Sequence, residues 1–372
     1  MKDRTRRQFL ELIRSGLSGK EARISVFAEG VDWKALHRLA TEQTLVGVVT
    51  DGIDLLKGPL RPFDEAMDPF LGDLMTTEQR NERMDSFAVK LVRRLEKEGM
   101  TPLVLKGQPL AREYRNPSHR QCGDIDLLLT PDEYGRAKDI LVPKATKVET
   151  EYDEILHQGL YFGPLAVELH GAVSTLMSPS LDESLSACTS RMFSERKFRS
   201  VGIKDCEVKV PPLWFDAMYI FVHMLHHYWS SGVALRQILD WSLFVTNHYD
   251  EFDMQRLDRV VTELGVKHMW QVFAGFAAET FDLPEDRFPF YVKTWKGKNR
   301  RILRFVLRSG NFGRKEDRTR DEDEGFLKKK LLSFWMNVVH DRLRHFPTFP
   351  KESMRYFSGA FRYGMSRLSK GD

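Results

Sequence analysis

Three cysteines in 372 residues, Cys122, Cys188 and Cys206, are odd in number and form no C-x-x-C pair. Neither a disulfide framework nor a thiolate zinc site can be built from them, and a reducing compartment is expected. Long apolar runs are also missing. The most apolar stretch, Leu213 to Leu225, is interrupted by Asp216 and His223 and falls short of the roughly 18–20 residues that span a bilayer. The first residues, Met-Lys-Asp-Arg-Thr-Arg-Arg, lead into no apolar segment of the secretory type, so a cytoplasmic protein without a membrane partner is expected. Repeats and low-complexity tracts are absent. What remains, 42% hydrophobic and 30% charged residues, excludes a disordered or collagen-like chain and gives material for two or three domains.

The formal net charge of +4 is unevenly spread. Residues 291–372 hold 21 Lys and Arg against 9 Asp and Glu, whereas residues 1–290 hold 36 against 44. A basic stripe suits nucleic acid or an anionic surface. Here, however, the basic residues alternate with Leu331, Leu332, Phe334, Trp335, Val338, Val339 and Leu343 at helical spacing. This predicts a helix whose apolar face is buried and whose cations are solvated. Nucleic acid is therefore not expected as a partner, and truncation near Asn311 is expected to destabilise the fold.

Periodicity divides the chain. Trp33, Leu36, Leu39, Leu45, Val46, Val48 and Val49 predict helix in the N-terminal region. Met84, Phe87, Ala88, Leu91, Val92 and Leu95 predict a second helix stopped by Gly99 and Pro102. Leu103–Leu105 then reads as a short buried strand ending at Lys106-Gly107, and residues 124–129 as another. Thr130, Pro131 and Glu133 give a capping box for a helix to about Leu141. Strands follow near 144–152, 159–162 and 165–170, and from Pro211 the pattern is helical. The expected fold is α+β, a small mixed sheet flanked by helical regions. The regions are 1–83 (N-terminal helical), 84–178 (catalytic core), 179–290 (helical, substrate side) and 291–372 (basic helical).

Asp124 and Asp126, two apart in a strand, leave the same face about 6.6 Å apart at their Cα atoms, while Ile125 and Leu127 point into the core. Two adjacent carboxylates repel, and a divalent cation between them relieves the repulsion. Glu168 lies in a later strand, Ala166-Val167-Glu168-Leu169-His170, on the face it shares with His170. Three acids of this kind can hold two metals about 3.5–4 Å apart, as phosphoryl transfer requires. Lys106-Gly107 joins a charge to a backbone that permits close approach, as a phosphate turn needs.

In this order, Lys106-Gly107, Tyr114, Arg120, Gly123-Asp124-Ile125-Asp126-Leu127 and Val167-Glu168-Leu169-His170 resemble the bacterial uncharacterised nucleotidyltransferase family of the DNA polymerase beta-like superfamily. The resemblance is densest over residues 85–171. It implies transfer of a nucleoside monophosphate from an NTP to a hydroxyl acceptor, with Mg2+ or Mn2+ as cofactor and pyrophosphate released. It further implies Asp124 and Asp126 as paired metal ligands and Glu168 as the third carboxylate, which helps to deprotonate the acceptor. At the phosphate turn the superfamily usually has Gly-Ser, whereas Gly107 is followed here by Gln108.

Other residues admit simpler readings. His223, His226 and His227 fall on one helical face, but no H-E-x-x-H order accompanies them, and core or pocket histidines account for the spacing. Arg236 and Asp240, four apart, account for each other as a surface pair. The resemblance instead implies that Tyr114, His170, His223, His227, Arg236 and Asp240 line a substrate cleft. Arg120, in the loop before Gly123 and Asp124, suits phosphate recognition. The residues do not specify the base of the NTP, the acceptor, which is a small molecule or a protein, or the oligomeric state. Two alternatives stay open: a non-catalytic nucleotide- or partner-binding module on the same fold, and a nucleotide-sugar glycosyltransferase using Asp-x-Asp.

Overall fold

The computed structural model describes residues 3–151, 155–230, 232–310 and 344–369. Its class is α+β. Four helices, α1 (Asp3–Ser18), α2 (Trp33–Glu42), α3 (Val46–Asp54) and α4 (Asp64–Lys97), lead into the first strand. Helix α1 falls in the region 1–83 read as helical, ahead of the periodic residues from Trp33 onward that support that reading, and Phe9, Leu12 and Ile13 give it a fully buried stripe. Helix α1 crosses α3 closely because Gly16 and Gly52 have no side chains. A Cβ on Gly16 would lie 2.1 Å from the Val48 carbonyl oxygen, and one on Gly52 2.1 Å from that of Leu12.

The central sheet has the order β1-β2-β5-β4-β3, from β1 (Leu103–Leu105), β2 (Ile125–Leu128), β3 (Lys147–Val148), β4 (His157–Phe162) and β5 (Leu165–His170). Among the described strands only β2 and β5 run parallel; the other neighbours in this sheet are antiparallel. This mixed sheet lacks the doubly wound alternation that a nucleotide-sugar glycosyltransferase reading needs. The short helix α5 (Gly107–Ala111) follows β1, and α6 (Pro131–Leu141) follows β2 with the expected capping box formed by Thr130 and Glu133. Of the strand expected over 144–152, the described residues form only β3, and Val142–Lys144 form a helical turn around Pro143.

Alternation gives the sheet two different faces. Val104, Ile125, Leu127, Leu160, Val167 and Leu169 pack with Met84, Ala88 and Leu91 of α4 and with Ala137 and Leu141 of α6. Leu103, Leu105 and Leu128, on the opposite face, join the larger helical core. That core is built from α1, α2, α3 and the start of α4 together with α7 (Pro179–Glu195), α8 (Leu213–Trp229), α9 (Leu235–Asn247), α10 (Met254–Glu263), α11 (Lys267–Phe281) and α12 (Lys296–Ser309). Within residues 179–290, read as a helical region with its helical pattern from Pro211, a hairpin of β6 (Arg199–Ile203) and β7 (Cys206–Val210) lies between α7 and α8. The stripe Leu331 to Leu343 lies outside the described residues. Near the end of the chain, α13 (Pro350–Ser369) and the residue before it dock on the helical core through Tyr356 and Phe349, both fully buried. Burying Phe349 contributes about 1.5–3 kcal/mol.

Candidate active site

The site lies on the second face of the sheet, where β2 and β5 run side by side. Their register sets Asp126 beside Glu168, and Leu128 beside His170. A slip of one residue would exchange the acids for Ile125 and Val167, so the apolar face on α4 and α6 fixes the acids' direction. Ligand oxygens of Asp124, Asp126 and Glu168 all lie within 4.8 Å of one another. Asp124 and Glu168 line a cleft of about 740 Å3, together with Lys106, Arg80, Arg236, Tyr219 and the three α8 histidines. Asp126 is fully buried behind them.

Two cations, Lys106 and His170, only partly offset the three acids of this cluster. Lys106 Nζ is 3.0 Å from Asp126 Oδ1 and 3.3 Å from His223 Nε2. His170 Nε2 bonds the same Asp126 oxygen at 3.0 Å. The other oxygen, Asp126 Oδ2, is buried without a hydrogen-bond partner among the described residues. A buried acceptor left unmade costs about 1–3 kcal/mol, more when charged, and a bound cation would satisfy it. The donor set, three carboxylates in a polar cleft, fits a hard divalent cation such as Mg2+ or Mn2+.

The titration shifts share that origin. Repulsion from Asp126, with burial second, raises the pKa of Asp124 to about 6. Burial works to raise Glu168 as well. Hydrogen bonds with His157 and His170 and the charge of Lys106 outweigh it and hold the group far below the carboxylate range. For His170 burial favours the neutral ring, yet its bonds to Asp126 and Glu168 prevail and lift its pKa to about 9. His227 moves the other way, down to about 3, through burial first and then the charges of His226 and Lys106. Burial and Lys106 likewise keep His223 neutral.

Lys106 has φ 46° and ψ −130°, and Gly107 has φ 34°. Such a conformation in a non-glycine residue costs on the order of 1–3 kcal/mol, and the ion pair with Asp126 holds it. A Cβ on Gly107 would approach the Asp124 carbonyl oxygen at 3.3 Å, so the turn and the acid strand are in close contact there.

Arg120 is placed differently from an open phosphate ligand. It is 3% exposed and enclosed by acceptors. Nε and Nη2 donate to the two oxygens of Asp240 at 2.7 and 2.9 Å, and Nη1 donates to the Gly107 carbonyl at 2.9 Å. Tyr114 Oη donates to Asp240 at 2.6 Å, and Arg236 Nη1 does so at 3.0 Å. Asp240 and Arg236 are thus no surface pair. They form a buried knot under the Lys106-Gly107 turn, and Arg236 also reaches Thr44 Oγ1 at 2.9 Å.

Sequence reasoning missed four contributors. Arg80 lines the cleft and donates to the Gly123 carbonyl at 2.7 Å. Asn81 Nδ2 holds the Ser118 and Arg120 carbonyls, each at 2.8 Å. Both look like ordinary polar positions on α4. Tyr219 faces the cleft from α8, with Lys106 Nζ 5.8 Å from its ring centre. His157 opens β4 two residues before the strand expected from the pattern, opposite His170.

A family model for uncharacterised nucleotidyltransferases matches residues 29–282. The chain belongs to this family. Its match takes in the whole sheet, the acid cluster and the histidines of α8, so the cleft lies entirely inside the family region. Among solved structures, an antigenic nucleotidyltransferase-like protein from Paracoccidioides brasiliensis is similar, with 12% identity and a TM-score of 0.32. The similarity covers 54% of this chain and 93% of that one. No curated protein matches. Among the described residues no helix is long and apolar enough to cross a membrane.

Proposed function

We propose that the protein is a divalent-metal-dependent nucleotidyltransferase that moves a nucleoside monophosphate from an NTP to a hydroxyl of a small molecule or protein. The observation that carries this reading is the convergence of Asp124, Asp126 and Glu168 around an unsatisfied buried carboxylate oxygen. These three residues would hold Mg2+ or Mn2+, which supplies charge neutralisation for the triphosphate and the transferring group. Lys106, Arg236 and Arg80 present cations to the same cleft, where they bind and orient the phosphates. As the acceptor oxygen bonds to the α-phosphorus, the bond to the oxygen bridging to the β-phosphate breaks, pyrophosphate leaves, and the hydroxyl's proton passes to solvent water in the open cleft. Glu168, held strongly acidic by its histidines, is a weak proton acceptor at neutral pH and serves better as a ligand than as a base. His223 and His227 stay neutral and offer the acceptor polar contacts rather than charge.

The test is incubation of the protein with each α-labelled NTP, Mg2+ or Mn2+ and a cell extract, followed by identification of the labelled species. Labelling that disappears with Asp126→Asn supports the reading. Nucleotide binding with no labelled acceptor would favour a binding module, the alternative suggested by Gln108 after Gly107 and by the engagement of Lys106 with Asp126.

A further inference from the structure

Glu168 belongs to a second cluster. Its Oε2 is 3.3 Å from His157 Nε2 and 3.5 Å from His170 Nε2, and the two imidazole centres are 4.9 Å apart. One ligand atom from each of the three side chains lies within 4.8 Å of the other two. Bonds of about 2.0–2.2 Å in a tetrahedral site place neighbouring ligand atoms about 3.3 Å apart. The two nitrogen-to-oxygen separations are already close to that, and an ion bound there would displace the proton through which His170 Nε2 now bonds Asp126.

The sheet builds this arrangement. His157 and His170 are cross-strand partners on β4 and β5. Glu168 is two residues before His170, so alternation puts all three on the face that carries Asp126. All three line the same cleft, which leaves an entry path for an ion. The donor chemistry differs from that of the acid cluster. Two imidazole nitrogens and one carboxylate suit zinc and its transition-metal neighbours, while Mg2+ demands oxygen ligands and keeps several waters.

We propose that His157, Glu168 and His170 form a second cation site, selective for a zinc-class divalent ion and joined to the Mg2+ or Mn2+ site through the shared Glu168. The proposal rests on the nucleotidyltransferase reading only for the occupant of the neighbouring acid site. The protein would carry two unlike metals side by side, one held by oxygen and one mainly by nitrogen. Because Glu168 is common to both, occupation of one site alters affinity at the other, and by linkage the effect is reciprocal.

The test uses tag-free full-length protein freed of metal and titrated separately with Zn2+, Co2+ and Mn2+. Co2+ serves as a reporter, because imidazole coordination gives it visible absorption bands. His157→Ala is expected to weaken Zn2+ and Co2+ binding at least about tenfold and to remove the bands, while Mn2+ affinity changes less than about twofold. Asp124→Asn is expected to do the reverse. Circular dichroism and melting of both variants check that each is folded. If His157→Ala is folded and binds Zn2+ as the parent does, the second site is refuted. If instead Asp124→Asn leaves Mn2+ binding intact while His157→Ala abolishes Zn2+ binding, the nucleotidyltransferase reading fails and the histidine site stands. Should His157→Ala not fold, His157→Gln, which keeps a polar side chain of similar reach, is read by the same criteria.

Discussion

Asp240 and Asp126 are both buried carboxylates facing a buried cation, yet the protein completes one and leaves the other open. Asp240 accepts from Arg120 at both oxygens, from Tyr114 and from Arg236. Burial works to raise its pKa, but the two guanidinium groups outweigh this and hold it low. Asp126 shares one oxygen between Lys106 and His170 and leaves the other without a donor among the described residues. Two more acids stand beside it, one with a raised pKa. A saturated carboxylate is architecture. An unsaturated one among like charges stores a preference for a ligand that brings positive charge.

The strongest way to break this contrast is to remove Asp240. Asp240→Ala leaves Arg120 and Arg236 without their counter-charge, and the loss of stability is expected to reach about 3–5 kcal/mol, as for other broken buried pairs. Chemical denaturation measures it, and a loss below about 1 kcal/mol would erase the distinction. Asp126→Asn is expected to act on function instead. Lys106 keeps the attraction of Asp124 and Glu168, so stability falls by less than half as much as in Asp240→Ala. Mn2+ affinity, followed by calorimetry, is expected to drop about 100-fold, equivalent to roughly 2.7 kcal/mol.

Acid sharpens the comparison further. With the pKa of Asp124 raised to about 6, protons compete with metal below that value. Mn2+ affinity is expected to be nearly flat above pH 7 and to fall toward tenfold per pH unit below pH 6. The depressed pKa of Asp240 has the opposite sign. Its contribution to stability is present above the unfolded carboxylate value of about 3.9 and is lost only below it. A metal titration at pH 5 and pH 7 should therefore differ about tenfold, while the Asp240 knot stays intact at both. The smallest effect is expected from Tyr114→Phe, which removes one of four donors to Asp240. About 1 kcal/mol of stability should be lost in denaturation, with unchanged Mn2+ affinity.

The acid site was legible because its determinants are local. Alternation in residues 124–129 and 165–170 sets the face of each carboxylate, and the capping box of Thr130 and Glu133 marks where β2 gives way to α6. The Asp240 knot was not legible in the same way. Arg120 and Asp240 are 120 positions apart, and nothing in either segment shows that a cation from one will bury against an acid from the other. Spacing alone paired Asp240 with Arg236 on a surface, and tertiary burial overrode that placement. The β6–β7 hairpin escaped because it lies in a stretch whose flanks are strongly helical. His157 escaped because its strand begins before its apolar pattern does.

Helix α4 imposes a constraint on how this molecule can change. It is 34 residues long, about 51 Å at 1.5 Å per residue. Met67 and Phe70 near its start belong to the large helical core, while Met84 to Leu95 belong to the core beneath the sheet. Arg80 and Asn81 lie between, holding Gly123 and the backbone at 118–120. One residue inserted between Phe70 and Arg80 would turn everything beyond it by about 100°, and no nearby loop could absorb the rotation. Seven residues would restore the face but displace it by about 10 Å. Descendants of this chain should therefore vary in length almost anywhere sooner than along this rod, whose residue count acts as a gauge setting one core against the other.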